Sequence, residues 1–308
     1  MLPILLLSLA TFQDPPASLR KPGTPILTPA NISTQAVTFK KTPQGDLQLH
    51  FFLPPGHDPK GKKPALVFFF GGGWKGGTFQ QFVPQAEYLA SRGLVAVCAD
   101  YRIGSIHKTT PDCCVEDAKS AMRWLRGHAG EWGIDQDKII ASGGSAGGHL
   151  AACCALVPGW DAPGEDLKIS CLPNALVLFN PAVDLKGHRI LNAVGEDVSA
   201  KISPAAFLNA SLPPTLIFMG TEDKLLASSQ EFQKKAKGLK RQVRLFTAKG
   251  QQHGFFNRSP WTEATTLEME KFLASFGYLK GKPTLAISKD SPFLIEIGLV
   301  EEKGTSSK

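Results

Sequence analysis

The chain has 308 residues, of which 43% are hydrophobic and 20% charged, which suits a large folded core and excludes a chain disordered throughout. Its net charge of +7 could point to nucleic acid, but the basic residues are scattered and no aromatic residues interleave with the densest run, residues 234–241. That run is interpreted as the solvated end of a helix, so no nucleic-acid partner is predicted.

Residues 1–12 are almost entirely apolar. They are too short to cross a bilayer, two prolines follow them, and Ser8-Leu9-Ala10 offers a cleavage site of the small-x-small type, although no lysine or arginine precedes the run. We interpret residues 1–12 as a signal peptide and residues 13–34 as a linker. The mature protein is therefore expected to be secreted or periplasmic, without an integral membrane segment.

The six cysteines have no zinc spacing with histidine, and no metal or other cofactor is predicted. Export would permit disulfides, and a bridge between the two helices that carry the vicinal pairs is one possibility. One cysteine falls in an apolar strand and is interpreted as a core thiol. The pairing stays open for Cys98, Cys113, Cys114, Cys153, Cys154 and Cys171.

In chain order, the first predicted elements are a β-hairpin, with strands at residues 36–40 and 47–53 around a turn at 43–46. From residue 65 onward, apolar strands alternate with helices, which predicts βαβ units and a mostly parallel sheet flanked by helices in a three-layer α/β fold. The strands are predicted at residues 65–70, 94–99, 138–142, 175–179, 215–219 and 242–247, and the helices at 81–91, 115–126, 146–156, 228–236 and 262–276.

Residues 35–280 are predicted to form one domain, followed by a C-terminal extension at residues 281–308 in which residues 293–300 add one edge strand. Within the domain, residues 181–214 separate two predicted strands and contain several prolines and glycines. An insertion of this length in an α/β frame usually has a function, and we predict a small lid there.

A nucleophile is predicted at Ser145, in the G-x-S-x-G pattern Gly143-Gly144-Ser145-Ala146-Gly147 between a strand and a helix. The alternative is a plain glycine-rich turn. An acyl-transfer serine also needs a base and an acid that orients the base. His253 follows a buried strand and is the candidate base, whereas His149 is interpreted as a surface or packing residue.

The acid is predicted from another loop that follows an apolar strand. Asp223 ends the pattern Gly220-Thr221-Glu222-Asp223 and is preferred to Glu222, while Asp184 is the alternative and is more easily interpreted as a turn residue. The lid histidine, His188, is set aside because it precedes the preferred acid in the chain.

A run of glycines, Gly71-Gly72-Gly73, follows the first buried strand and would let backbone N–H groups converge on an anion. The spacing Gly71-x-Gly73-x-x-Gly76, with Asp100 ending the next strand, also satisfies a loose dinucleotide-binding pattern. A nucleotide site would leave the independent serine, acid and histidine unexplained, so the anion-binding interpretation is preferred.

Together these segments resemble the α/β-hydrolase superfamily, specifically the hormone-sensitive-lipase-like esterases and their bacterial acetylxylan and feruloyl esterase relatives. The resemblance implies an α/β-hydrolase fold, with Ser145 as nucleophile, Asp223 as acid and His253 as base. It also implies that the N–H groups of Gly72, Gly73 and Ala146 form the oxyanion hole. The matching motifs, in chain order, are Phe70-Gly71-Gly72-Gly73-Trp74, Asp100-Tyr101-Arg102, Trp132-Gly133-Ile134-Asp135, Gly143-Gly144-Ser145-Ala146-Gly147-Gly148, Gly220-Thr221-Glu222-Asp223 and His253-Gly254-Phe255-Phe256.

The chain departs from the family at Phe70, where the family usually has a histidine that braces the loop. Phenylalanine does not donate a hydrogen bond, so packing is expected to hold the loop instead. The short lid predicts an open, shallow site for acetyl or small aromatic acyl groups. The resemblance therefore implies a serine carboxylesterase that acts on a small-molecule or polysaccharide ester through an acyl-enzyme, and the predicted signal peptide implies that it is secreted.

Two other functions are weighed against this one. A peptidase of the prolyl-oligopeptidase type shares the serine motif, but the residues before the sheet are too few for its β-propeller. A non-catalytic binding protein with the same fold would usually lack one of the three catalytic residues, and all three are present. The natural substrate and the oligomeric state stay open.

Overall fold

The computed structural model describes residues 32–186, 195–285 and 293–298. The predicted signal peptide, almost all of the predicted linker and the lid residue His188 lie outside these ranges. The strands are β1 (Ser33–Thr42), β2 (Gly45–Leu53), β3 (Lys63–Phe69), β4 (Val95–Ala99), β5 (Ile134–Gly144), β6 (Ala175–Phe179), β7 (Thr215–Gly220), β8 (Val243–Ala248) and β9 (Leu294–Glu296). The helices are α1 (Val83–Ser91), α2 (Gly104–His107), α3 (Pro111–Gly127), α4 (Ala146–Leu156), α5 (Gly195–Lys201), α6 (Leu226–Gly238) and α7 (Trp261–Ser275).

The strands form one sheet in the order β1-β2-β4-β3-β5-β6-β7-β8-β9. Strands β3 to β8 pair in parallel, while β1 with β2, β2 with β4, and β8 with β9 pair antiparallel. The predicted α/β class and the mostly parallel sheet are confirmed.

Two hydrophobic cores lie on opposite faces of the sheet, because successive side chains of a strand point in opposite directions. In β3, Val67 and Phe69 face a core shared with α3 and α4, while Leu66 and Phe68 face a core shared with α1 and α7. The central strands are therefore apolar at nearly every position, as strands covered on both faces must be.

Several elements begin or end away from their predicted limits. The strand β5 starts at Ile134, before its predicted start at residue 138, because Ile134 pairs with Lys63 of β3. A register shift separates this pair from the pairs that begin at Ala65. The polar residues after Ile134 gave no sign of a strand in the sequence. The helix α3 starts at Pro111, which fits the first turn because proline needs no N–H partner there. The edge strand β9 covers three residues of the predicted 293–300 and pairs with β8.

All six cysteines lie within the described residues, and all six are free thiols. The disulfide between the two helices that the sequence left open is therefore absent. Cys98 is 1% exposed in β4, as expected of a core thiol. Burial raises the pKa of Cys98, Cys114 and Cys153 well above the ordinary value, so these thiols stay protonated. In the described ranges, no helix is both long and apolar enough to cross a bilayer.

A buried ionic cluster ties the first strand to α3 and to the segment after β4. The Asp117 carboxylate is fully buried and accepts hydrogen bonds from Lys40 Nζ at 2.8 Å and Arg102 Nε at 2.8 Å. It also accepts one from the backbone N–H of Arg102 at 3.0 Å. Glu116 supplies the second carboxylate, 2.7 Å from Lys40 Nζ. With two cations and two carboxylates in contact, each buried charge in the cluster has a partner.

Replacing Asp117 with alanine would remove the fully buried carboxylate and leave Lys40 and Arg102 to share Glu116, whose side chain is 26% exposed. We expect the free energy of unfolding to fall by about 3–5 kcal/mol, the range typical of breaking a buried ion pair from one side. Urea denaturation at neutral pH measures the change.

The matched control is Asp197→Ala, because Asp197 also pairs with a lysine but does so in solvent. Asp197 and Lys201 lie 2.7 Å apart with side chains 81% and 59% exposed. We expect at most about 0.5 kcal/mol from this change. If the two substitutions had similar effects, the buried cluster would not stabilise the fold as described.

Candidate active site

Ser145 occupies the sharp turn between β5 and α4. Its backbone has φ 54° and ψ −115°, a strained positive-φ conformation that costs a non-glycine residue about 1–3 kcal/mol. The turn is held by a hydrogen bond from the Ser145 N–H to the Phe179 carbonyl at 2.8 Å. A Cβ at Gly147 would overlap the carbonyl oxygen of Phe69, so only glycine lets α4 leave the turn so close to β3.

His253 lies on the loop after β8 and points to the serine. Its Nε2 is 2.8 Å from Ser145 Oγ, and its Nδ1 is 2.7 Å from Asp223 Oδ2. A carboxylate only accepts hydrogen bonds, so Nδ1 carries the proton and Nε2 is left to accept from the serine hydroxyl. This tautomer is the one that can remove a proton from Ser145.

Asp223 follows β7 and has a side chain only 1% exposed. Its second oxygen, Oδ1, accepts a hydrogen bond from the Leu225 N–H at 2.9 Å, so both carboxylate oxygens have donors. The alternative acid, Asp184, accepts instead from the Lys186 N–H at 3.0 Å, as a turn residue does. The structure therefore brings Asp223, and not Asp184, to His253, while Glu222 is exposed to solvent.

Asn180, at the end of β6, is a site residue that the sequence analysis did not single out. Its side chain is fully buried, and its Nδ2 lies 3.3 Å from both ring nitrogens of His253. Both nitrogens already have in-plane partners, so this amide packs against the imidazole face. Asn180 Oδ1 accepts from the Gly254 N–H at 3.3 Å. An Asn-Pro pair directly after a buried strand, on the edge that carries Ser145, was the available signal.

The glycine loop after β3 packs directly against the serine turn. A Cβ at Gly71 would lie 2.8 Å from the Gly144 carbonyl oxygen and 3.4 Å from Ser145 Cβ. Gly72 and Gly73 have φ of 131° and 61°, a region that favours glycine. Within the described part of the chain, the N–H groups of Gly72, Gly73 and Ala146 donate to no protein acceptor. They therefore have no protein acceptor among the described residues, as donors to a bound anion require.

Phe70 holds its end of this loop by packing, as expected where the family usually has histidine. Its ring is 3% exposed and stacks on Tyr101 with centroids 4.1 Å apart. The Tyr101 hydroxyl donates to the Phe70 carbonyl oxygen at 2.7 Å. Burial raises the pKa of Tyr101 well above its ordinary value, so this hydroxyl stays protonated and keeps donating.

The site is open in the residues that the structure describes, because the His253 side chain is 43% exposed. Beside the glycine loop lies a cavity of about 450 Å³, a size typical of small-molecule sites. Its lining consists of residues 73–75, 104–105 and 108–111, and does not include Ser145, Asp223 or His253. His149, on α4, is fully buried. The prediction that it packs in the interior is confirmed, and the alternative of a surface position is wrong.

Comparison with known proteins relates this arrangement to esterases. The BD-FAE family profile matches residues 49–170. The apo form of esterase 2 from Thermogutta terrifontis is 42% identical and superposes with a TM-score of 0.78, covering 81% of this chain and 97% of that chain. A butyrate-bound form of the same esterase gives 40% identity, a TM-score of 0.75, and coverage of 81% and 96%.

Among curated relatives, the probable carboxylic ester hydrolase LipM of Mycobacterium tuberculosis is 30% identical over 59% of this chain and 46% of its own length. A probable isoprenylcysteine alpha-carbonyl methylesterase of Arabidopsis thaliana is 26% identical over 71% of this chain and 50% of its own length. The chain therefore spans about half the length of these curated relatives, but nearly all of the Thermogutta esterase.

The contact beneath the serine turn gives a stability prediction. In Gly147→Ala the new methyl group must displace the Phe69 backbone, and we expect the free energy of unfolding to fall by more than about 3 kcal/mol. Gly76→Ala is the control, because a Cβ there meets nothing within 4 Å. It should change stability by less than about 1 kcal/mol in the same denaturation experiment. Equal stabilities for the two variants would show that the turn tolerates a side chain.

Proposed function

We propose that this chain, which belongs to the hormone-sensitive-lipase-like esterases of the α/β-hydrolase superfamily, hydrolyses carboxylic esters through a covalent intermediate on Ser145. The observation that carries the proposal is the hydrogen-bonded series from Asp223 Oδ2 to His253 Nδ1, 2.7 Å, and from His253 Nε2 to Ser145 Oγ, 2.8 Å. These distances lie within the range that proton transfer requires.

In the proposed reaction, His253 Nε2 takes the proton of Ser145 as Oγ attacks the ester carbonyl carbon. Asp223 keeps the imidazole in the required tautomer and stabilises the imidazolium that forms. When the tetrahedral intermediate collapses, the C–O bond to the alcohol breaks and His253 returns its proton to the leaving oxygen. Water then attacks the acyl-serine with His253 again as base, which releases the acid and restores Ser145.

The backbone N–H groups of Gly72, Gly73 and Ala146 are proposed to stabilise the oxyanion. They lie on the loop that packs against Ser145 and at the first position of α4. Because they are fixed before the reaction, they need no reorganisation when negative charge develops on the carbonyl oxygen. The loss of one such donor typically costs about 10²–10³ in rate.

For the substrate, we propose short-chain or small aromatic acyl esters, including acetyl or feruloyl groups carried on plant polysaccharide. An exposed base and an open edge of the sheet leave room for a bulky alcohol beyond the ester bond. The related Thermogutta esterase has been seen with butyrate and with propionate. The predicted export of the chain would give it access to such polymers.

The catalytic assignment is tested by substitution at Ser145 and Asp223. Ser145→Ala should abolish both ester hydrolysis and labelling by a fluorophosphonate probe. Asp223→Asn should lower kcat by about 10⁴, because an amide does not hold the imidazole in the tautomer that accepts the serine proton. Intact-mass measurement and 4-nitrophenyl acetate hydrolysis give the two readouts.

Asp184→Asn is the matched control, since Asp184 follows β6 as Asp223 follows β7 but accepts hydrogen bonds from the Lys186 N–H and from Ser203 Oγ. It should keep kcat within about two-fold. Probe labelling on a residue other than Ser145, or a larger loss from Asp184→Asn than from Asp223→Asn, would show that the assignment is wrong.

The substrate range is tested with a series of acyl esters of one alcohol. If short-chain esters are the preferred class, kcat/KM for acetyl and butyryl esters should exceed that for octanoyl esters by at least about ten-fold. Feruloyl esters and acetylated xylan should release acid at rates that Ser145→Ala abolishes. A preference for octanoyl esters, with no release from either plant substrate, would contradict the proposed substrate class and leave ester hydrolysis itself in place.

A further inference from the structure

We propose that His149 is a positioning residue for ester hydrolysis, which holds the oxyanion loop in place through Trp74 and ties that loop to the lid through Ile202. The inference rests on the proposed function, because it assigns His149 a role in aligning the donors of that reaction. His149 lies on α4, four residues after Ser145, and its side chain is fully buried.

One hydrogen bond joins His149 to the oxyanion loop. Trp74 Nε1 donates to His149 Nδ1 at 3.3 Å, and the two rings meet edge to face with centroids 5.1 Å apart. Trp74 is 2% exposed and directly follows Gly73 in the chain. Its own backbone is left-handed, with φ 58°. A large, buried side chain tied down at its far end therefore fixes the peptide next to a proposed oxyanion donor.

A second hydrogen bond joins the same ring to the lid. His149 Nε2 lies 2.7 Å from the carbonyl oxygen of Ile202, which follows α5. A carbonyl oxygen only accepts, so Nε2 carries the proton and Nδ1 keeps the lone pair that Trp74 needs. Both bonds thus require the same neutral tautomer, and each supports the other.

The surroundings of the ring support this tautomer. The Cys153 thiol lies 3.3 Å from His149 Nε2 and donates to the Ile202 carbonyl oxygen at 3.4 Å. Burial raises the pKa of Cys153 well above its ordinary value, so the sulfur stays uncharged and brings no anion to the ring. His149 therefore acts as a neutral bridge between the loop that carries Gly73, the helix that begins after Ser145, and the lid.

The composition of the loop makes such side-chain anchors important. Three consecutive glycines give the backbone little stiffness of its own. Phe70 anchors the end of the loop that leaves β3, through Tyr101. At the far end the Trp74 carbonyl accepts a hydrogen bond from the Gly104 N–H at 2.9 Å, and the Trp74 side chain adds the bond to His149. A displacement of about 1 Å at a reacting group can cost about 10² in rate. Releasing Trp74 should therefore lower kcat more than it changes substrate binding.

The test removes the two hydrogen bonds of the His149 side chain one at a time. In His149→Asn, the amide oxygen takes the place of Nδ1 and can still accept from Trp74, whereas the bond to Ile202 is lost. In His149→Gln, the longer amide reaches the place of Nε2 and can still donate to Ile202, whereas Trp74 loses its acceptor. Trp74→Phe removes the same loop bond from the other side and keeps an aromatic ring.

We expect His149→Gln and Trp74→Phe each to lower kcat for 4-nitrophenyl acetate by about 10- to 100-fold, with KM changed by less than about three-fold. His149→Asn should keep kcat within about three-fold of the wild type. The double variant Trp74→Phe/His149→Gln should be no slower than the slower single variant, because both changes break one bond.

Thermal unfolding distinguishes positioning from general stability. Each histidine variant loses one buried hydrogen bond, so His149→Asn and His149→Gln should lower Tm by similar amounts, a few degrees. The inference is overturned if kcat falls equally in both, or if Trp74→Phe keeps the wild-type kcat. If the wild-type chain hydrolysed no ester, the proposed function itself would be wrong. The wild-type assay shows this before any variant is compared.

Discussion

The close crossing of two backbones beneath Ser145 is the constraint on which the rest of the site depends. The carbonyl of Phe69, at the end of β3, occupies the space that a Cβ at Gly147 would need. Because β5 lies between β3 and β6, the glycine loop leaves the sheet on one side of Ser145 and Asn180 on the other. Parallel strands end at the same edge of a sheet, so β7 and β8 bring Asp223 and His253 to that edge as well. The tight crossing allows all of these groups to meet.

The charged residue of the site, Asp223, and the proposed base, His253, differ sharply in burial. The permanent charge belongs to Asp223, whose side chain is 1% exposed and whose two oxygens are satisfied by Leu225 and His253. In such a setting a charge–dipole contact is stronger than in water. His253, the proposed base, is 43% exposed, so water and a departing alcohol would have access to it. The fixed charge is thus shielded from solvent, while the group that gains and loses a proton is open to it.

Much of this architecture could be predicted from the sequence, because it depends on local patterns. Apolar runs predicted the central strands, and short motifs after β5, β7 and β8 predicted Ser145, Asp223 and His253 as site residues. The structure brings these three residues together. What the sequence concealed depends on distant partners. The contact of Asn180 with His253 joins residues 73 positions apart, and that of Trp74 with His149 joins residues 75 apart. The early start of β5 was hidden in the same way, since its pairing with Lys63 overrides a polar run.

The glycine loop shows why those distant contacts matter for chemistry. Preorganised donors stabilise an oxyanion only if they do not move as the charge develops, yet a run of glycines is the least rigid of backbones. The loop is held from outside instead. Tyr101 holds the Phe70 carbonyl, and the Gln81 amide oxygen accepts the Gly71 N–H. Gln81 also donates to Asn257 in the turn after His253, so the glycine loop and the loop that carries His253 are joined through one side chain. A flexible segment thereby acquires a fixed geometry, and substitutions far from Ser145 can act on the rate through it.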